Sequence, residues 1–171
     1  MTALDNTTGF DAHRAIRDLR ELANRTGGPA GSRRLCWTPE WAEARAMLRE
    51  ELSTLPVEVE QDEAGNLWAY LRGASPEMVV VGSHLDSVPA GGWLDGALGV
   101  IGGLEVLRSL AASPTPPQRS FALVDWADEE GARFSRSLFG SAAVVGTLDI
   151  DIVRDLKDRW GNSLPEVVAE H

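Results

Sequence analysis

The chain has 171 residues, and its composition, 43% hydrophobic and 25% charged, is typical of one folded domain rather than of a disordered segment. Its 16 Lys and Arg against 26 Asp and Glu give a formal charge of −10; an acidic surface repels the phosphates of nucleic acids and anionic membranes, so binding to either is not expected. A single cysteine excludes an internal disulfide, and the sequence has neither a signal-peptide pattern nor an apolar run near the ~20 residues that span a bilayer, so we expect a cytoplasmic protein.

The first half of the chain predicts two helices and a hairpin. Apolar residues at three-to-four spacing predict a helix over residues 11–25. A hydroxyl residue followed by proline is typical of a helix start and predicts a second helix over residues 38–52. Residues 57–60 and 67–71 predict two strands, and the turn residues between them should join these strands as a hairpin.

The second half alternates strands with helices. Residues 78–81 form a short apolar run that predicts a strand buried on both faces, and residues 120–127 predict another buried strand. Between them, residues 97–110 predict a helix whose three glycines imply very close packing against the sheet, since each costs about 1 kcal/mol in a helix interior. Further helices are predicted over residues 137–145, 152–160 and 163–170. The pattern predicts a three-layer α/β domain in which helices flank a largely parallel or mixed central sheet.

One imidazole and several carboxylates follow the two buried strands, and sites in such sheets form at the carboxyl ends of strands. His84 and Asp86 should point the same way, so Asp86 can accept the second ring N–H of His84 while His84 binds a metal. Asp95 precedes the glycine-bearing helix, and its two oxygens could bridge two cations ~3.5–4 Å apart. Glu129 and Glu130 follow the second buried strand and point in different directions, so one could be a metal ligand and the other a general base.

Each part of this pattern also has an ordinary structural explanation. A lone His-x-Asp is more often a surface or capping pair, and Asp-Glu-Glu is usually a solvated turn at a helix start. The glycine-rich stretch 91–103 lacks the spacing of a phosphate loop. Nucleophile alternatives are weak, because Cys36 has no base beside it in sequence and Ser83 lacks the Gly-x-Ser-x-Gly elbow. The combination of two acid-bearing loops, each directly after a buried strand, favours a metal site.

Two stretches resemble a known family: GSHLDSVPAGGWLDGALGVIGGLEVL at 82–107 and DEEGARFSRSLFGS at 128–141. They are similar to the amidase, hydantoinase and carbamoylase branch of the M20 metallopeptidase family, which includes N-carbamoyl-L-amino-acid hydrolases, allantoate amidohydrolases and β-ureidopropionases. LCWTPE at 35–40 and DEAGNLW at 62–68 extend the likeness over most of the chain. The short gap between His84 and Asp95 is typical of this branch, since the peptidase branch has a longer insertion there.

The resemblance implies a role for each candidate residue and two divalent cations. The implied roles are ligands of separate cations for His84 and Glu130, the bridge for Asp95, the general base for Glu129 and the support of His84 for Asp86. One imidazole with several carboxylates suits Zn²⁺, Mn²⁺, Co²⁺ or Ni²⁺. The resemblance also implies a cis peptide bond between Asp95 and Gly96.

The resemblance further implies that residues 1–171 are a single, incomplete catalytic domain. In the family, a lid and dimerisation domain interrupts the catalytic domain. Two more histidine ligands, an arginine for the substrate carboxylate and an oxyanion-stabilising histidine lie after the region matched here. Without them each cation would keep only two protein ligands, where a hydrolytic site usually keeps three plus water. Full-length members are expected to form homodimers, and no such expectation extends to this chain.

The function implied by the resemblance is that of a binuclear-metal amidohydrolase. It would cleave the C–N bond of an N-carbamoyl amino acid or a related ureido acid such as allantoate, and the isolated chain is expected to be inactive. Two alternatives stay open: an inactive fragment or interaction module that keeps the fold, and an exopeptidase or deacylase of the same family. A missing half-domain would also leave a sheet edge and an apolar surface exposed.

Overall fold

The computed structural model describes residues 9–171; residues 1–8, which belong to the segment that shows no signal-peptide pattern, lie outside them. Its helices are α1 (Ala12–Thr26), α2 (Pro39–Leu52), α3 (Ala97–Ala111), α4 (Phe139–Val144), α5 (Ile150–Val153) and α6 (Leu164–Glu170). Its strands are β1 (Gly27–Gly28), β2 (Gly31–Ser32), β3 (Glu58–Gln61), β4 (Leu67–Leu71), β5 (Ser75–His84) and β6 (Arg119–Trp126). Within the described part of the chain, no helix is long and apolar enough to cross a membrane.

The central sheet has four strands in the order β3-β4-β6-β5 and is mixed. β4 is antiparallel to both β3 and β6, whereas β5 and β6 are parallel. The predicted hairpin is confirmed, with Glu58 opposite Tyr70 and Gln61 opposite Leu67. The predicted class, an α/β domain with a mixed sheet flanked by helices, is also confirmed.

Two hydrophobic clusters hold the fold together. The larger lies between the sheet and helices α1, α2 and α3, and includes Leu19, Leu48, Leu67, Leu104 and Leu123. The smaller joins the start of α2 to the last third of the chain through aromatic and aliphatic side chains, among them Trp37, Trp41, Phe134, Phe139 and Leu164. Both clusters border the loops that follow β5 and β6.

The glycines of α3 divide between two faces of that helix. A Cβ built on Gly99 would lie 2.6 Å from Cβ of Ser83, and one on Gly103 would lie 2.6 Å from Cδ1 of Leu123. The close packing expected from the sequence is therefore confirmed at these two positions. Gly102 is different, because a Cβ there meets nothing within 4 Å.

Strand β5 corrects one prediction. It is longer than the run at 78–81, and it lies at an edge of the sheet rather than in its interior. Met78, Val79 and Val80 are 38%, 45% and 48% exposed, so the expected burial on both faces is wrong for this chain. The physical reason is that β6 is the only strand bonded to β5 in the described residues. The prediction for β6 is confirmed, since all its residues from Ser120 to Asp125 are buried.

The last third of the chain is less helical than the sequence predicts. The helix expected at 152–160 is wrong: α5 ends at Val153. The Asp158 carboxylate accepts hydrogen bonds from the backbone N–H groups of Trp160 and Asn162, and this local bonding favours a turn over a helix. α4 and α6 confirm the other two helices within shorter bounds, and α6 begins with a capping box formed by Ser163 and Glu166.

Candidate metal centre

The candidate residues gather at one end of the sheet because β5 and β6 are parallel neighbours. His84 is the last residue of β5 and lies opposite Trp126, the last residue of β6. Glu129 and Glu130 follow Trp126 in the next loop. The parallel pairing therefore brings the two acid-bearing loops together at the carboxyl ends of β5 and β6, as the sequence predicts for an α/β sheet.

Asp86 joins the two loops through its carboxylate. Only 1% of this residue is exposed. Its Oδ1 accepts a hydrogen bond from the backbone N–H of Glu129 at 3.2 Å, and its Oδ2 accepts one from the backbone N–H of Glu130 at 3.1 Å. The bidentate contact fixes the position of both glutamates relative to the end of β5.

The ring of His84 is oriented by the backbone as well as by carboxylates. Its Nδ1 lies 3.0 Å from the backbone oxygen of Asp86 and 3.5 Å from Oδ1 of the same residue, so the carbonyl is the closer acceptor for an Nδ1–H. Nε2 then faces Oε2 of Glu129 at 3.4 Å. Burial opposes protonation of His84, but Asp86 and Glu129 outweigh it and raise the pKa of His84 to about 9.

Gly96, the residue after Asp95, packs directly against the imidazole of His84. Gly96 has φ +64°, and a Cβ at this position would lie 2.4 Å from Cε1 of His84, so only glycine fits here without displacing the ring. Asp95, the residue before it, is exposed. All peptide bonds of residues 9–171 are trans, so the cis bond that the resemblance implies between Asp95 and Gly96 is wrong here; the left-handed φ of Gly96 makes the turn instead.

Negative charge accumulates around the site. Burial raises the pKa of Glu130, and the nearby Asp95 and Asp86 raise it further while His84 opposes them. Burial and the charge of Asp86 raise the pKa of Asp128 to about 8 against the influence of Arg133. Both carboxylate oxygens of Asp128 are buried without a hydrogen-bond partner among the described residues. An imidazole with crowded carboxylates has the chemistry of a donor set for a divalent cation.

A buried ion pair that the sequence analysis missed supports the loop after β5. Asp125, wholly buried in β6, accepts hydrogen bonds from Nε of Arg45 and from the backbone N–H of Leu85, each at 2.7 Å. Leu85 lies between His84 and Asp86, so its peptide group sets the direction of both side chains. One feature of the sequence could have indicated Arg45: this charged residue stands four positions after Trp41, on the face of α2 that is buried. In the structure its guanidinium carbon lies 4.0 Å from the centroid of the Trp41 ring.

Arg34 supports the same loop from the other side. Its Nε donates to the backbone oxygen of Leu85 at 2.6 Å, and its backbone exchanges hydrogen bonds with Ser87. The whole residue is buried, and burial lowers the pKa of its guanidinium while Asp86 and Asp125 oppose that effect. No pattern around Arg34 in the sequence indicated this role.

The site is partial in this chain. Within residues 9–171, no three His, Cys, Asp or Glu side chains are arranged so that they could hold a metal ion. Cys36, the weak nucleophile alternative, is buried, and burial raises the pKa of its thiol well above the usual value. His171, at the other end of the described residues, packs against the ring of Trp41 and is no part of the site. The structure thus brings the predicted residues to one edge without a closed set of ligands.

Fold and site together define the class of α/β proteins that carry a polar site at the carboxyl ends of parallel strands. The chain belongs to peptidase family M28, whose model matches residues 66–155. The matched segment contains every residue of the candidate site from His84 to Glu130.

The predicted amidase, hydantoinase and carbamoylase branch is confirmed by individual relatives. The chain is 33% identical to an allantoate amidohydrolase of Bacillus subtilis, and the match covers 91% of this chain. It is 35% identical to an N-carbamoyl-L-amino acid amidohydrolase of Geobacillus stearothermophilus, again over 91% of this chain. A crystal structure of a hydantoinase/carbamoylase family amidase from Burkholderia ambifaria superimposes with a TM-score of 0.89 at 34% identity over 95% of this chain. The chain spans only about two-fifths of these proteins: 39%, 38% and 41% of their lengths.

Proposed function

We propose that this chain is the amino-terminal part of a metal-dependent amidohydrolase that cleaves the C–N bond of N-carbamoyl amino acids or related ureido acids. The observation that carries the proposal is the similarity, over nine-tenths of the chain, to two amidohydrolases named for such substrates. The donor chemistry at the strand ends agrees with it, since His84 and the surrounding carboxylates suit two divalent cations such as Zn²⁺, Mn²⁺, Co²⁺ or Ni²⁺.

In this proposal, the residues at the sheet edge have separate tasks. His84 through Nε2, Glu130 and the bridging Asp95 would hold the cations, which when bound supply Lewis acidity to the ureido carbonyl. Oε2 of Glu129, 3.4 Å from Nε2 of His84 and on a side chain that is 28% exposed, would take the proton from the attacking water and pass it to the leaving nitrogen. Asp86 positions Glu129 and Glu130 through their backbone N–H groups.

A second candidate function is that of a non-catalytic interaction module. Two observations favour it for the isolated chain: the exposed edge of β5, and the absence of a three-donor cluster within the described residues. An exopeptidase of the same family is the third possibility, because the matching family model describes peptidases. These functions differ in whether the completed protein hydrolyses a substrate, and in which bond of that substrate it cleaves.

The test is a chimera in which this chain replaces the matched 157 residues of the Geobacillus stearothermophilus amidohydrolase. With Mn²⁺ or Zn²⁺ added, we expect hydrolysis of N-carbamoyl-L-amino acids or allantoate, and none of dipeptides. Glu129→Gln should lower kcat by about 10²–10⁴-fold because it removes the general base, with metal content by elemental analysis unchanged. Glu50→Gln, at an exposed position of α2, is the matched control.

The outcomes separate the alternatives. A folded chimera that retains metal but hydrolyses neither ureido substrate contradicts the amidohydrolase, and turnover of dipeptides alone supports the exopeptidase. Unchanged turnover in Glu129→Gln removes that residue from the mechanism and leaves the substrate class standing.

A further inference from the structure

The chain forms one turn twice, from the pattern Asp-x-x-Gly-Asn at residues 62–66 and again at residues 158–162. We call these the Asp62 turn and the Asp158 turn. In each, the aspartate carboxylate accepts hydrogen bonds from the backbone N–H groups two and four residues on and from the side-chain amide of the asparagine. The glycines also agree, with φ +84° and +90°. The bonding is the same in both turns although the two residues between aspartate and glycine differ.

Those two residues are Glu63 and Ala64 in the Asp62 turn, but Arg159 and Trp160 in the Asp158 turn. The Trp160 side chain is 57% exposed. The guanidinium carbon of Arg159 lies 4.2 Å from the centroid of its ring, and that of Arg133 lies 5.9 Å away. A guanidinium that lies over an aromatic ring keeps its N–H groups available to an acceptor. Because glutamate and alanine form the same turn, the turn does not explain why arginine and tryptophan stand here.

Arg159 and Trp160 line a cavity of about 340 Å³ beside the candidate metal centre. Pro89, from the loop after β5, and Ala132, from the loop after β6, contribute to its wall, so both acid-bearing loops border it. We call this cavity the Arg159 pocket and define it by six of its lining residues: Leu35, Pro89, Arg133, Lys157, Arg159 and Trp160.

The Arg159 pocket has an excess of positive charge. Its one carboxylate, Asp158, is already paired with Arg133, which donates to it from Nε at 3.1 Å and from Nη2 at 3.0 Å. In the described part of the chain, no carboxylate lies within ion-pair distance of Lys157 or Arg159. In a chain with a formal charge of −10, two cations without partners in one cavity favour an anionic ligand.

A buried guanidinium forms part of the wall. The Arg133 side chain is only 9% exposed, and its Nη1 donates to the backbone oxygens of Cys36 and Trp37. With Nε and Nη2 bonded to Asp158, four of the five guanidinium N–H groups have acceptors. The remaining N–H, on Nη2, has none among residues 9–171. The pocket therefore combines a fixed donor on Arg133 with two solvated cations.

The donors favour a carboxylate over a phosphate. Phosphate sites commonly use backbone N–H groups of loops and helix starts, whereas the backbone N–H groups of Trp160 and Asn162 are occupied by Asp158. A planar guanidinium matches the two oxygens of a carboxylate. Leu35, Pro89 and the Trp160 ring add apolar contact, and the cavity lies near the lower end of the roughly 300–1,000 Å³ of small-molecule sites.

We propose that the Arg159 pocket binds a small organic carboxylate with an apolar or aromatic body. The carboxylate accepts hydrogen bonds from Arg159 and from the remaining N–H of Arg133, with Lys157 close enough to add its charge. The body of the ligand lies against Trp160 and Pro89. The proposal is independent of the proposed function, because it requires neither bound cations nor any residue outside this chain.

The test is an NMR titration of the ¹⁵N-labelled chain with phenylacetate, without added metal. We expect saturable shifts of the Trp160 indole N–H and the Ala132 amide, with a Kd of about 1 mM or lower. Phenylacetamide has the same shape without the charge and should bind at least ~10-fold more weakly. Acetate and inorganic phosphate, which lack the apolar body, should also bind more weakly than phenylacetate.

The repeated turn supplies the variant. Arg159→Glu combined with Trp160→Ala gives the Asp158 turn the two residues of the Asp62 turn, so the turn should still form. The double variant should bind phenylacetate at least ~10-fold more weakly, because it removes a cation and the aromatic wall. Arg119→Glu is the matched control: it changes the net charge equally, at a side chain that is 64% exposed at the start of β6, and should leave Kd unchanged.

A conservative variant decides the result if the double variant does not fold. Arg159→Gln removes the charge and keeps Trp160, so we expect an unchanged unfolding midpoint with binding at least ~5-fold weaker. Unchanged binding in this variant contradicts the role of Arg159 and overturns the proposal.

Four further results would overturn the proposal. The absence of a saturable shift excludes the site, and shifts centred on His84 and Glu129 place the ligand at the strand ends instead. Equal weakening by Arg119→Glu assigns the effect to overall charge. Equal affinity for phenylacetamide indicates an apolar cleft, and equal affinity for inorganic phosphate indicates a general anion site.

Discussion

The two edges of the central sheet face solvent with different chemistry. At the β3 edge all four residues are exposed; Glu58 pairs with Arg72, and Glu60 accepts a hydrogen bond from the hydroxyl of Tyr70 at 2.8 Å. At the β5 edge, valines and a methionine are exposed and no charge interrupts them between Glu77 and His84. Charged side chains are a standard protection of strand edges against unwanted pairing.

The β3 edge has the composition of a solvent-exposed strand, whereas the β5 edge has that of an interior strand. β3 ends the sheet in water, whereas β5 carries the side chains of a strand with neighbours on both sides. The candidate site lies at the end of β5, so the unprotected edge and the partial ligand set occur together.

Removal of Asp125 should release the end of β5 that carries the site. Asp125→Ala leaves Arg45 buried without its carboxylate and Leu85 without an acceptor for its N–H, so we expect a loss of about 3–5 kcal/mol in the free energy of unfolding by urea denaturation. Glu58→Ala removes a solvent-exposed ion pair of the β3 edge and should cause no measurable loss in the free energy of unfolding. A similar loss of unfolding free energy in both variants would show that the ion pairs at the two edges stabilise the fold equally.

A methyl group at Gly96 should disturb the contact between α3 and the imidazole. Gly96→Ala should cost about 1–3 kcal/mol, because the residue keeps φ +64° and its Cβ meets the His84 ring; the NMR signals of that ring should shift. Gly146→Ala has a similar φ of +70° but open space around its Cβ, and it isolates the backbone contribution. Equal costs would mean that contact with His84 contributes nothing.

The glycines of α3 should respond with opposite signs on its two faces. Gly102→Ala should stabilise the isolated chain by up to ~1 kcal/mol, since alanine favours the helix and its methyl group meets open space. Gly103→Ala should destabilise it, because the methyl group overlaps Leu123. Thermal unfolding monitored by circular dichroism checks both, and a loss with Gly102→Ala would show that the outer face is already covered.

Much of the site was accessible from the sequence because its residues follow strands. His84, Asp86, Glu129 and Glu130 stand directly after runs that are unmistakably apolar, and parallel strands bring such positions together. Arg45 and Asp125 were not found, because 80 residues separate them and neither has a local signal for its partner. The helix expected at 152–160 was wrong, since side-chain bonds of Asp158 to nearby backbone compete with the helix.

Local patterns in the amino-acid sequence were enough to predict the α/β class, the hairpin, the three large helices and the order of the site residues. These features depend on hydrophobic period, turn residues and strand ends, which are local properties of the chain. The folded structure was needed to show that β5 is an edge strand and that the backbone oxygen of Asp86 is nearer to His84 Nδ1 than the Asp86 carboxylate is. It was also needed to show that Asp125 and Arg34 hold the loop at Leu85. Burial and hydrogen bonding depend on which distant segments of the chain make contact. A residue pattern indicates that a strand favours neighbours on both sides, but it does not show which segments lie there.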